Sequence, residues 1–254
     1  MQIINYDKTF QGFLSAVFDI YEYRFKNVKF SISDTSLFGE THSVVTSEEN
    51  ASRVWKGLLK YISSISANQL YKCFLSEHKE VEQLLYRYIK YVFDSKAPID
   101  HDYSNEAVLG VWQTAKKVYR EKHRMEAFVR FKLTKEKLYY AIVEPDFNVL
   151  PLIINHFQKR YADQRWMIYD MKRKYGIHYD LKEVTRVIVN FVDKPSSEST
   201  IIHDEKEELY QDLWKNYFNS VNIPSRKNMK LHIQHMPYRY WKYLIEKESN
   251  ILKR

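Results

Sequence analysis

Residues 127–144 run Ala127-Phe128-Val129-Arg130-Phe131-Lys132-Leu133-Thr134-Lys135-Glu136-Lys137-Leu138-Tyr139-Tyr140-Ala141-Ile142-Val143-Glu144, and the reading of this stretch decides the fold class. Before it, apolar residues recur at three- and four-residue spacing, the mark of helices with one buried face. Here the period shortens. Ala127–Leu133 alternates apolar with polar side chains and Leu138–Glu144 is rich in β-formers, with Thr134-Lys135-Glu136-Lys137 between them. Two such runs around a short polar connection predict a β-hairpin.

Toward the N-terminus, Ser104 and Asn105 open a long helix to about Arg124, with Val108, Val111, Trp112, Ala115 and Val118 as its apolar stripe. Helical patterns also cover Ala51–Ser64, Gln69–Ser76 and Glu80–Phe93. A short strand at Gln2–Asn5 precedes a helix through Phe10, Phe13, Leu14 and Val17, capped by Asp7 or Thr9. The Ser/Thr-rich stretch Ser31–Asn50 reads as a connection with a short extended piece at Val44-Val45. Toward the C-terminus, Asn148 is expected to cap a helix over Val149–Tyr161, with Pro151 in its first turn. Trp166–Asp170, Gly176–Asp180 and Val184–Phe191 read as strands, Leu209–Val221 as an amphipathic helix and Tyr238–Lys247 as a final helix. This order predicts an α+β fold: N-terminal helices, a central mostly antiparallel sheet with one packed helix, and C-terminal helices. A mainly helical part is expected over 1–95 and an α+β domain over 96–254, with one continuous domain as the alternative.

Composition narrows the function. The 254 residues include 21 Tyr but only 5 Gly, and no Gly-rich phosphate loop can be assembled from Gly12, Gly39, Gly57, Gly110 and Gly176. Nucleotide-driven chemistry is therefore disfavoured. The one cysteine, Cys73, rules out an internal disulfide or a cysteine-held cluster within this chain and reads as a buried thiol. No secretory leader or membrane-spanning run is visible, so a cytoplasmic protein without membrane contact is expected.

Positive charge gathers late in the chain. Pro224–Arg254 holds eight Lys and Arg against two Glu, within a formal net charge of +8 for the whole chain. Cations neutralise phosphates and flat rings stack on bases, so Arg226, Lys227, Lys230, His235, Arg239 and Lys242 predict a polyanion partner. Lys172-Arg173-Lys174 is a second basic cluster able to serve the same strand. The competing reading has Trp241 plugging the core and these cations merely solvated. Glu144, Asp146, His156 and Asp163, with Asn148 and Arg160, form the candidate catalytic constellation. They would serve in acid–base work or in metal-dependent phosphodiester cleavage. The plainer and preferred reading is a network of caps and salt bridges. Their spacing is not diagnostic of a metal site, and no metal or cofactor is expected.

A resemblance covers nearly the whole chain. It begins at Tyr6-Asp7-Lys8-Thr9-Phe10-Gln11-Gly12-Phe13-Leu14 and sharpens at Phe128-Val129-Arg130-Phe131, Glu144-Pro145-Asp146 and Asn148-Val149-Leu150-Pro151-Leu152. It continues through His156-Phe157, Arg160-Tyr161-Ala162-Asp163-Gln164-Arg165-Trp166 and Ile168-Tyr169-Asp170, and ends at Leu213-Trp214, His235-Met236-Pro237 and Arg239-Tyr240-Trp241-Lys242. These segments resemble a bacterial DNA metabolism and repair family whose core is a domain of unknown function. Members occur beside, or fused to, a uracil-DNA-glycosylase-type domain and are paired with a radical-SAM protein presumed to act on DNA. The resemblance implies a DNA-linked accessory role. Neither glycosylase loops nor cluster cysteines are present, so if the chain works in base removal or photoproduct chemistry, the resemblance implies that its partner supplies the active site. Two alternatives stand beside it: a metal-dependent phosphodiester-cleaving enzyme, and an adaptor that docks the partner without touching DNA.

Overall fold

The computed structural model describes residues 1–30, 40–188, 207–221 and 228–247. The chain divides into two compact units, Met1–Tyr119 and Arg120–Arg254. The expected α+β class is what is found, with helices at both ends of the chain and two sheets.

In the first unit β1 (Gln2–Asn5) is followed by α1 (Phe10–Glu22), β2 (Val28–Phe30), β3 (Glu40–Ser43), α2 (Glu48–Leu58), α3 (Ser64–Phe74), α4 (Val81–Ser95) and the start of α5 (Glu106–Phe128). The three strands form a parallel sheet in the order β2-β1-β3, with Ile3 opposite Lys29 and Thr41. β3 lies in the stretch expected to be a connection, just before the anticipated Val44-Val45 piece. Its sequence, Glu40-Thr41-His42-Ser43, is mostly exposed. It is an edge strand held by backbone bonds, so it carries no hydrophobic period to read.

The entry to α1 explains why Asp7, Thr9 and Gly12 occur together. Thr9 is the N-cap, and its hydroxyl oxygen accepts from the Gly12 N–H at 2.9 Å. Asp7 Oδ1 accepts from the Thr9 N–H and O–H at 2.9 and 2.7 Å, and Oδ2 accepts from the Thr46 O–H at 2.8 Å. Burial alone would raise the Asp7 carboxyl, but the bonds from Thr9 and Thr46 outweigh it and hold it below its ordinary value. Ser15, fully buried, donates to the Ser47 carbonyl and accepts the Ser47 N–H, both at 3.1 Å, which fastens α1 to the start of α2. Phe13, Val17 and Ile20 then face Leu58, Leu70, Leu85 and Ile89 in one apolar core. Cys73 lies in that core, where burial pushes its thiol up to about 12.

The second unit begins within α5 and adds β4 (Lys132–Leu133), β5 (Tyr139–Val143), α6 (Leu150–Arg160), β6 (Trp166–Asp170), β7 (Tyr175–Tyr179), β8 (Val184–Val187), α7 (Glu207–Val221), α8 (Met229–His235) and two 3₁₀ turns, Tyr238–Tyr243 and Ile245–Lys247. The sheet order is β4-β5-β6-β7-β8; β5 and β6 are parallel and the other three pairs antiparallel. α6 is the crossover that a parallel pair requires. The predicted hairpin is present but shorter, because α5 runs to Phe128 and takes Ala127 and Phe128 out of the strand. The reason is periodicity: Val118, Glu121, Met125 and Val129, three or four apart, are all buried.

Two capping and helix expectations are corrected. Asn148 does not cap α6, whose N-cap is Val149 with no side-chain bond. Its Oδ1 instead accepts from the Tyr175 O–H at 2.5 Å. Pro151 does sit in the first turn. The final helix is replaced by the two 3₁₀ turns, separated at Leu244, whose backbone is extended. Pro237 sets the entry, and the buried Tyr240, Trp241, Ile245 and Glu246 take the places that one straight α-helix was expected to serve. Among the described residues no helix is long and apolar enough to cross a membrane.

At Gly12 an added Cβ would overlap Asp7 Oδ1 and lie 2.9 Å from Thr46 Oγ1. Gly12→Ala should therefore break the capping network and destabilise the chain by about 1–2 kcal/mol, the scale of a lost N-cap. Urea unfolding followed by far-UV circular dichroism measures this, and a midpoint unchanged from wild type would refute the role given to Asp7.

Candidate functional site

The two units differ sharply in charge. Arg120–Arg254 carries 26 Lys and Arg against 18 Asp and Glu, whereas Met1–Tyr119 carries 14 of each. The whole formal +8 therefore belongs to the second unit.

Within that unit the structure joins two constellations that the sequence presented separately. Glu144 and Asp146 follow the end of β5, and the C-terminal turns bring Arg239 and Lys242 onto them. Lys242 Nζ contacts Glu144 Oε2, which also accepts from the Tyr243 O–H at 2.8 Å. The bond from Lys242, then that from Tyr243, holds the Glu144 carboxyl below its ordinary value. Arg239 Nη2 lies 2.8 Å from Asp146 Oδ2 and 3.0 Å from Glu121 Oε2. Lys172 and Arg173 arrive from the β6–β7 turn and donate to the Asp146 carbonyl at 3.2 and 3.1 Å. Arg173, almost fully buried, also pairs with Asp170 at 2.8 Å.

The remaining candidates fall elsewhere. His156 Nδ1 is 3.6 Å from Glu126 Oε1, and Asp163 is exposed on the turn after α6. Lys174 is exposed in the β6–β7 turn, while Lys230 and His235 are exposed on α8. Arg226 and Lys227 lie outside the described residues. Glu144, Asp146 and His156 thus have different partners and Asp163 stands exposed, and among the described residues no group of three or more His, Cys, Asp or Glu could hold a metal ion. The capping and salt-bridge reading accounts for Glu144 and Asp146.

Sequence reasoning missed the acids that organise this region. Glu121 is 1% exposed; its carboxylate accepts from the Asp146 N–H at 3.0 Å and from the Tyr240 O–H at 2.5 Å. The available signal was a carboxylate lying on the apolar stripe Val118–Glu121–Met125. Glu246 is 7% exposed and receives Arg130 Nη2 at 2.8 Å and the Trp214 indole N–H at 2.9 Å. Burial would raise the Glu246 carboxyl, but Arg130 outweighs it and the carboxyl lies below its ordinary value. Glu207, also buried, accepts from the Leu133 N–H at 2.8 Å and so fastens α7 to β4.

These anchors frame a cleft of about 750 Å³ between the end of α5, the β4–β5 hairpin, α6 and α7. Its walls include Phe131, Tyr139, Tyr161 and Trp214, with Arg130 and Arg160 among them. Arg130 lies over the Trp214 ring at 5.3 Å, and Arg160 lies 5.8 Å from the Tyr161 ring centre.

Because the folded Glu246 carboxyl titrates below its unfolded value, its contribution is complete above the unfolded range and is lost as pH falls through the lower folded one. Arg130→Ala removes this acid-sensitive contribution and leaves burial to raise the carboxyl, so the variant's deficit should be largest at neutral pH and shrink on acidification as Glu246 takes up a proton. At neutral pH this variant leaves a buried carboxylate unpaired and should cost about 3–5 kcal/mol. Tryptophan fluorescence against pH and against urea reads both effects, and a neutral-pH urea midpoint matching wild type would remove the anchor role.

Comparison with protein families matches residues 79–246 to DUF4130, a domain of unknown function. The match runs from the residues just before α4 to the second 3₁₀ turn. Comparisons with curated proteins and with solved structures find no match. With about two thirds of its length inside the matched region, the chain belongs to the DUF4130 family.

Proposed function

We propose that this chain is a cytoplasmic accessory protein of DNA repair and metabolism. It binds DNA through the surface of Arg120–Arg254 and acts with a radical-SAM or uracil-DNA-glycosylase-type enzyme that supplies the reaction. The observation that carries the binding half is the partition of charge, +8 in this unit and zero in the other. A field of one sign draws in a polyanion and is felt beyond single contacts. The partner half rests on the family resemblance.

The structure sorts the candidate cations by availability. Arg173 and Arg239 are committed to Asp170, Glu121 and Asp146. Lys172, Lys174, Lys230 and Lys242 are exposed. The Lys242–Glu144 pair is a surface pair, 55% and 39% exposed at its side chains. Such pairs contribute about 0–1 kcal/mol, so a phosphate can take Lys242 from Glu144. The metal-dependent alternative has less support, since Glu144 and Asp146 are already matched by cations.

The test is a titration of labelled single- and double-stranded DNA across salt concentrations, with Lys172→Glu/Lys174→Glu and Lys242→Glu beside wild type. Affinity should fall steeply with salt, and each lost phosphate contact should make the logarithmic slope shallower by about one. Arg239→Glu is unsuitable as a probe because it breaks the Glu121 and Asp146 contacts. Absence of DNA binding at low salt would sink the proposal and favour the adaptor that contacts only the partner enzyme.

A further inference from the structure

We infer that the cleft framed by α5, the β4–β5 hairpin, α6 and α7 holds one unstacked nucleotide of a single strand, with its base among the rings and its phosphate on Arg160. The inference deepens the DNA-binding reading and rests on it, naming the ligand unit and the place that receives it.

Three features of the cleft carry the inference. At about 750 Å³ it falls within the size range of small-molecule sites, large enough for a base with its sugar and phosphate. Its walls are flat: Phe131 and Tyr161 pack edge to face at 5.3 Å, Phe157 and Tyr161 stack at 6.1 Å, and Trp214 stands on the α7 side. Aromatic faces of this kind accept any base, because every base offers a π-face.

The third feature is the state of the charged groups. Glu207 is occupied by the Leu133 N–H and by Gln211, and Glu126 by Lys122 and His156. Arg130 is held by Glu246. Arg160 forms no ion pair among the described residues, and its guanidinium lies on the Tyr161 side of the cleft. The uncommitted charge is therefore a cation next to a ring, which suits a ligand that joins a planar group to an anion. A guanidinium can also grip a phosphate through two parallel bonds. A neutral aromatic ligand would leave this charge unused, and an inorganic anion would leave the rings unused.

The test uses the full chain and a ten-residue oligothymidylate, with thymidine 5′-monophosphate and thymidine as competitors. Arg160→Glu and Tyr161→Leu should each weaken oligonucleotide binding about tenfold, the scale of one lost stacking or phosphate contact. Lys159→Glu makes the same charge change on the neighbouring position of α6, outside the cleft walls, and should weaken it less than threefold. The monophosphate should displace the oligonucleotide at a concentration at least ten times lower than thymidine does, and Arg160→Glu should abolish that difference. Unfolding midpoints confirm that each variant is folded. Equal losses in Arg160→Glu and Lys159→Glu, or wild-type binding in Tyr161→Leu, overturn the cleft assignment while leaving DNA binding intact. Monophosphate bound without any oligonucleotide bound overturns the DNA-binding reading and leaves the cleft. Binding of neither overturns both.

Discussion

Two buried carboxylates hold the second unit together. Glu121 and Glu246 lie at opposite ends of long sequence separations: Glu121 accepts from Tyr240, 119 positions later, and Glu246 accepts from Arg130, 116 positions earlier. Each is nearly sealed from water. A charge in such a place is costly unless its hydrogen bonds are filled, so the segment 238–247 has few places where it can sit. Slip it by one residue and Glu246 loses both Arg130 and the Trp214 indole. The net stability of each pair is modest, since desolvation opposes attraction. What the pairs impose is position, and the meeting of Lys242 with Glu144 and the placement of Trp214 both follow from it.

This dependence also explains what could be read in the chain. Elements that bury a regular stripe were legible: the hairpin around Thr134–Lys137, the crossover helix with Pro151, the strand Trp166–Asp170. Elements whose register is set by polar anchors or by backbone bonds alone were not. β3 is exposed and shows no period. The turns over Tyr238–Lys247 have helical spacing of apolar residues, yet their backbone is interrupted at Leu244. The boundary at Phe128 was missed because Ala127–Leu133 satisfies both periods over a short window, and buried Met125 and Val129 decide for the helix.

The site was legible as parts and not as an arrangement. Glu144 and Asp146 looked like chemistry, and Arg239 and Lys242 looked like phosphate ligands, because each pair was considered alone. Opposite charges about a hundred positions apart leave no trace in a local window, and their encounter converts two candidate sites into one neutralised network. The aromatic cleft was harder still. Its members come from α5, β5, α6 and α7, and only the fold assembles them.

The division of labour between arginine and lysine follows the same logic. In the second unit Arg130, Arg173 and Arg239 meet the buried acids Glu246, Asp170 and Glu121 at 2.8, 2.8 and 3.0 Å, and Arg124 lies 3.6 Å from Glu121. Their planar forks satisfy several acceptors at once, and guanidinium is less strongly hydrated than ammonium, so burial costs it less. Lys172, Lys174, Lys230 and Lys242 are exposed, Lys172 with its head on the Asp146 carbonyl and Lys242 with its head on the surface carboxylate of Glu144, contacts weak enough for a phosphate to displace. These buried contacts of the second unit are made with arginine, while its exposed field combines lysines with arginines such as Arg165 and Arg186. Arg160 is one of the exposed arginines, with a ring beside it and no ion pair among the described residues. A residue suited to bidentate contact, left without one in a cleft of flat walls, is best explained by an anion that comes from outside the chain.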